Sequence, residues 1–216
     1  MPAIIDLSHS IHETISVYPG SDLPVLKNTA VLEQNGYREK ELVLSTHHGT
    51  HIDCPFHLLH EGFHTGNASI DRFFGKGFVM DCRVFPPSDR ITTDQLHTLE
   101  PVLGSIDFLL LLTGMDRYWE SPAYIGKYPV LASEAAEYLT HFQLKGVGID
   151  AISIDPVGDI ELAVHRILLS ENIILIENLT GLENLLHKSF LFSCLPLRIE
   201  EGDGSPVRAC AIIEDF

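Results

Sequence analysis

Short apolar runs alternate with amphipathic stretches along most of this chain. Residues 42–45, 78–84, 108–112, 147–154, 173–176 and 209–213 form runs of strand length. Most are continuously apolar and do not alternate, which predicts strands covered on both faces. Helical patterns fall between them. Thr92-Thr93-Asp94-Gln95 has capping-box spacing ahead of Leu96 and Leu99, and Ser133 precedes Glu134-Ala135-Ala136-Glu137-Tyr138-Leu139 as a candidate cap. Residues 162–169 read as a third helix and 182–186 as a short fourth. Strand and helix alternating from about Phe78 onward predict an α/β layer structure, largely parallel at its centre. The first third is richer in Pro, Gly, His and Thr, which suits extended chain and loops.

At 216 residues the chain is long enough for one sizeable core. With no linker or repeat visible, a single domain over 1–216 is expected. Composition narrows the partners. A net charge of -16 repels phosphate backbones and anionic lipid, so nucleic acid is not expected. Neither a targeting segment nor a run long enough to cross a bilayer is visible, so no membrane partner and a cytoplasmic location are expected. Cys54, Cys82, Cys194 and Cys210 include no C-x-x-C pair and read as small buried side chains.

Histidine changes the picture most. The chain has 12, and six of them lie between His47 and His64. In extended chain His47, His51, Asp53 and His57 share one face. A straight strand would still hold His47 and His51 roughly 13 Å apart at about 3.3 Å per residue. The chain must therefore bend between them, and Gly49 is the residue that tolerates positive φ. Pro55 and the β-branched neighbours disfavour a helix as the alternative. Three imidazoles and a carboxylate on one face are costly without a cation, and such donors suit Zn, Mn or Fe better than Ca or Mg. His48, His60 and His64 read as bystanders.

A second pair, His165 and Glu177, falls at one level if a helix over 162–169 reverses into a strand over 173–176. The helix runs roughly 9 Å beyond His165 at about 1.5 Å per residue, and the strand returns a comparable distance. By residue type alone, a helical His and a Glu ending a strand are also ordinary surface features. Asp150 and Asp155 read equally as support for a site or as turn residues.

H-x-G-T-H-x-D-x-P-x-H, unbroken from His47 to His57, resembles the signature of the cyclase-like metal-dependent hydrolases, which include bacterial kynurenine formamidase and isatin hydrolase. The likeness begins at Ile5-Asp6-Leu7-Ser8-His9 and Tyr18-Pro19-Gly20. It continues through His165-Arg166 and Ile174-Leu175-Ile176-Glu177-Asn178-Leu179 to Leu195-Pro196-Leu197 and Gly204-Ser205-Pro206-Val207-Arg208-Ala209. The resemblance implies one compact α/β domain of swivelling β/β/α type, with a β-barrel-like mixed sheet flanked by helices. It implies a homodimer or larger assembly. It also implies that His47, His51 and Asp53 bind one divalent ion, that Asp53 bridges to a second held by His165 and Glu177, and that His57 is the catalytic acid/base. One or two Zn or Mn ions per subunit are expected. Where kynurenine formamidase carries a Trp against the aryl ring, this chain has Tyr18, which can also stack.

The reaction these residues suit is hydrolysis of a small-molecule amide, resembling arylformamidase action on N-formylkynurenine. A divalent ion lowers the pKa of its water to about 7, and His57 is suited to move the proton to the leaving nitrogen. Tyr18 and Phe63 are the expected substrate-binding aromatics, with Phe56, Tyr118 and Trp119 as further candidate walls. A cyclic amide or lactone hydrolase of the isatin hydrolase type is the competing enzymatic reading. A metal-stabilised binding protein without turnover is the competing reading of another class, disfavoured because structural zinc is usually tetrahedral and Cys-rich.

Overall fold

The strand Phe108–Leu112 is buried along its whole length because it lies in the middle of a nine-stranded sheet. A computed structural model describes residues 2–85 and 90–213. The side chains of Phe108–Leu112 divide between two cores. Leu109 and Leu111 pack with Val147, Ile149, Leu175 and the helices, whereas Phe108, Leu110 and Leu112 pack with Ile52, Ile176, Phe192 and Leu179. That division is why the run carries no polar position: both faces of the strand are interior.

The strands Phe74–Asp81, Phe108–Leu112, Gly146–Ile149 and Ile174–Glu177 are parallel neighbours and form the centre. Antiparallel strands continue the sheet on either side. Phe190–Ser193, Cys210–Ile213 and Ala3–Asp6 follow in that order beyond Phe74–Asp81. His51–Asp53 and then Gly204–Pro206 follow beyond Ile174–Glu177. The result is one α/β domain on a curled mixed sheet, a half-barrel with two open edges. The expected barrel-like core is present in this open form.

Local structure departs from the expected pattern in several places, each for a physical reason. The strand expected over 42–45 is Glu39–Val43, an exposed hairpin arm paired with Val25–Ala30 outside the main sheet. Its Glu and Lys residues require solvent on both sides. The capping box at Thr92 forms, with the helix running Thr93–His97. Ser133 instead occupies the first helical position after Ala132. The helix over 162–169 is Ala163–Ser170, and 182–186 forms a short 3-10 turn, Leu182–Leu185. Ala3–Asp6, Val25–Ala30, Phe190–Ser193 and Gly204–Pro206 are strands beyond those expected, and of these Phe190–Ser193 carries a continuous apolar run, Phe190-Leu191-Phe192.

The run 147–154 stops being a strand at Ile149, because Asp150 redirects the chain. Its fully buried carboxylate accepts Thr113 N–H at 2.7 Å, the Thr113 hydroxyl at 2.5 Å and Gly114 N–H at 2.7 Å, tying together the ends of two parallel strands. Burial pushes the Asp150 pKa up to about 7 against these three donors. Because the folded-state value is raised, the group's contribution to stability declines as pH rises from its unfolded value through about 7. The substitution Asp150→Asn sets an amide N–H against a backbone donor. The expected loss is about 1–3 kcal/mol, read as a fall of roughly 2–4 °C in Tm per kcal/mol. An unchanged melting curve would show that the carboxylate does not organise this corner.

Candidate metal centre

Glu177 and His51 are register partners in the antiparallel pairing of Ile174–Glu177 with His51–Asp53. Directly opposed residues share a face, and Asp53 joins them two positions along its strand. Leu175 belongs to the core on the helical side, so all three functional side chains emerge towards the helix Ala163–Ser170. That helix supplies His165 from its first turn. The expected turn is also present, with Gly49 at φ 66° turning the chain so that His47 comes back over the strand. Gly204 lies opposite Asp53 in the edge strand, and a Cβ there would stand 2.5 Å from the Ile52 carbonyl oxygen and 3.1 Å from the His47 ring. Glycine at this point leaves the ring its space.

The donor atoms converge. His51 Nε2 lies 3.4 Å from Asp53 Oδ1 and 3.6 Å from Glu177 Oε2, and His165 Nε2 lies 3.6 Å from Asp53 Oδ2 and 3.5 Å from Glu177 Oε1. Two ligands of one tetrahedral ion at about 2.0–2.1 Å sit roughly 3.4 Å apart, so these separations fit a divalent ion between them. His47 Nδ1 is 2.7 Å from Asp53 Oδ1. Three sets of donors converge closely enough to hold an ion: His47, His51 and Asp53, and Asp53, His165 and Glu177, which share Asp53, and the more exposed set His47, His57 and Asp203.

The far nitrogens of two of these rings are held as in metal sites. His51 Nδ1–H donates to the Gly49 carbonyl at 2.9 Å, and His165 Nδ1 lies 2.6 Å from Asp155. In both rings this leaves Nε2 facing the cluster. The Asp155 carboxylate also accepts the backbone N–H groups of Val164 and His165, fixing the helix start and its histidine together.

Electrostatics point the same way. Burial opposes a charge on His47, but Asp53 and Asp203 outweigh it and raise the imidazole pKa to about 10. His165 likewise rises to about 10 against burial, through Asp155, Asp53 and Glu177. Burial and the neighbouring Asp53 push Glu177 upward. Burial alone would raise Asp53 as well, but His47 and His51 hold it well below the ordinary carboxylate range. A buried cluster that retains extra protons in this way stabilises positive charge at its centre.

The cluster forms one wall of a cavity of about 450 Å³. Tyr18, Ile152, Ile160 and Leu162 supply apolar surface, and His57 faces the same space. Tyr18 is anchored by Gly158 N–H, which donates to its hydroxyl at 2.9 Å. Phe63, expected against the substrate, is not at the cavity. It packs into the core on the opposite side of the sheet, with the Arg72 guanidinium 4.6 Å over its ring. Its position six residues beyond His57 gave no hint of this, because the chain turns through Leu58 to Gly62 before reaching it. Trp119 stacks on His9 and packs against Tyr124. Phe56 lies edge-on to His64, and Tyr118 packs beneath Arg117, so neither joins the cavity wall.

Three polar residues that sequence reasoning left unassigned support the site. Asp155 is described above. Asn178 bonds the Gly49 carbonyl through its side-chain amide and accepts the Tyr124 hydroxyl, locking the turn that carries His51. Asp203 contacts both His47 and His57. The only sequence signal for Asp203 was its place between two glycines, which reads as an ordinary turn.

The profile of the Cyclase family, described as "Putative cyclase", matches residues 5–156. A kynurenine formamidase of Bacillus cytotoxicus is 30% identical over 206 residues, covering 95% of both chains. A predicted metal-dependent hydrolase from Bacillus stearothermophilus superposes with a TM-score of 0.79 at 28% identity, covering 98% of each chain. Isatin hydrolase A from Labrenzia aggregata has the same fold, with a TM-score of 0.89 at 20% identity over 99% of this chain and 94% of that one. The His47–His57 motif, the half-barrel that mounts it and these matches lead to one conclusion: the chain belongs to the Cyclase family.

Proposed function

We propose that this protein is a divalent-metal-dependent hydrolase acting on a carbon–nitrogen bond other than a peptide bond, of the arylformamidase type. The observation that carries this reading is the meeting of His47, His51, Asp53, His165 and Glu177 at the wall of a cavity that Tyr18, Ile152, Ile160 and Leu162 also line. These five residues would hold one or two ions, with Asp53 shared between them. Their nitrogen and oxygen donors suit Zn or Mn. The bound metal would supply Lewis acidity, making water nucleophilic near neutral pH and polarising the scissile carbonyl.

The chain's own residues account for the rest. Tyr18, Ile152 and Leu162 bind the aryl or other apolar part of a small substrate and exclude water from its face. His57 accepts a proton from the attacking water and returns it to the departing nitrogen, so that an amine leaves in place of an amide anion. Kynurenine formamidase activity in relatives supports an N-formyl aryl amine such as N-formylkynurenine. A cytoplasmic location and a homodimer or larger assembly accompany this reading. Exposed apolar residues on the hairpin, Val25, Leu42 and Val43, support the assembly.

The test is elemental analysis of the purified protein, joined to a hydrolysis screen over formanilides, isatins and small lactones. Bound zinc or manganese is expected, with turnover greatest on the formanilides and lost on chelation while the fold persists. Preference for isatins or lactones would move the assignment to ring opening. Failure to bind any divalent metal would remove the hydrolase reading altogether.

A further inference from the structure

We propose that Asp203 is the positioning residue of this site, a single carboxylate that orients both the His57 and His47 imidazoles so that His57 meets the substrate through Nε2. The inference rests on the reading of His57 as acid/base given above.

Asp203 is built in from both sides of its backbone. Its carbonyl accepts Cys54 N–H at 2.8 Å, directly after the strand that bears His51 and Asp53, and the adjacent Gly202 carbonyl accepts Thr65 N–H at 2.9 Å. The side chain is fixed as well. Oδ1 accepts the Thr46 hydroxyl at 2.9 Å, which turns Oδ2 towards the histidines. Oδ2 then lies 2.7 Å from His47 Nε2 and 3.3 Å from His57 Nδ1. The two rings stand side by side, with centroids 4.4 Å apart.

The chemistry follows from what an ionised carboxylate can do. It only accepts, so the nitrogen facing it must carry the proton. For His57 that places the proton on Nδ1 and leaves the Nε2 lone pair to take a proton from water. For His47 the contact at Nε2 fixes the plane of the ring, with Nδ1 directed at Asp53. A base oriented by a carboxylate on its far nitrogen is the logic of the Ser-His-Asp triad. Here the same oxygen serves a candidate ligand too, so the position of the base is tied to that of the metal donors.

The experiment compares Asp203→Asn, Asp203→Ala and Asp203→Glu with the wild type, each loaded at saturating zinc. For Asn and Ala we expect kcat to fall by roughly 10²–10⁴-fold with KM nearly unchanged and zinc stoichiometry retained, and Glu to recover part of the loss. Long-range ¹H–¹⁵N NMR on ¹⁵N-histidine protein, with His57 assigned by its absence from His57→Gln, gives a second readout independent of turnover. The wild type should show His57 protonated on Nδ1, and Asp203→Ala should shift it towards the Nε2-protonated tautomer. An unchanged tautomer in Asp203→Ala, a loss confined to KM, or loss of zinc stoichiometry at saturation would each overturn the proposal, the last by making Asp203 a ligand. Should the wild type turn over no substrate in the screen, the functional reading fails, and the NMR comparison still decides the placement of His57.

Discussion

Replacing Asp53 with Ala should yield a folded protein that retains no stoichiometric divalent metal and hydrolyses nothing that the wild type hydrolyses. Asp53 is 1% exposed and belongs to two of the three groups of donors, so its loss removes a ligand from both. Glu177 on the opposite strand already faces His51 and His165, and its Oε1 also accepts Ile154 N–H at 2.8 Å. Loss of an outer partner of a metal ligand typically costs 10–100-fold in metal affinity, and loss of a shared ligand should exceed that. Titration with zinc followed by elemental analysis of the desalted protein checks this. Retention of full metal content by Asp53→Ala would show that the ion, if bound, lies elsewhere.

The second large effect is expected at His57, and it should be of a different kind. Substitution by Ala should lower kcat by about 10²–10⁴-fold, the usual contribution of a positioned acid or base, while metal content stays at the wild-type level. The His57 ring stands beside that of His47, with centroids 4.4 Å apart, so metal content is the readout that separates a base from a ligand here. Its Nδ1 is directed at Asp203, and its ring lies 6.3 Å from that of His165, centroid to centroid. Joint loss of activity and metal in His57→Ala would instead mark it as a ligand. Read together, the two variants separate holding the ion from moving the proton.

Much of the candidate site was legible in the sequence because it is local. His47, His51, Asp53 and His57 lie within one short segment, and their parity, with a glycine placed to turn the chain, needs no distant partner to be noticed. His165 and Glu177 were different. Nothing in their own segments distinguished them from surface residues, and the family resemblance alone joined them to the motif. Phe63 shows the limit of reasoning by proximity, since it follows the motif closely and packs beneath the sheet. Asp203 shows the converse. It reaches His57 across 146 residues of sequence, and no pattern around Gly202-Asp203-Gly204 announces it.

The fold divides in the same way. Phe108–Leu112 declared itself because a strand buried on both faces must be apolar throughout. The edge strand Gly204–Pro206 did not, because its role is to pair backbone and leave space for His47. By itself the sequence determined which donors exist, where the chain can bend and which strands need an interior on both sides. These are properties of side-chain chemistry and of local backbone preference. Tertiary structure alone decided that Glu177 pairs with His51, that Asp155 takes the far nitrogen of His165, and that Asp203 meets two rings at once. Strand register and the closing of long loops depend on how the whole sheet assembles, and no single segment carries that information.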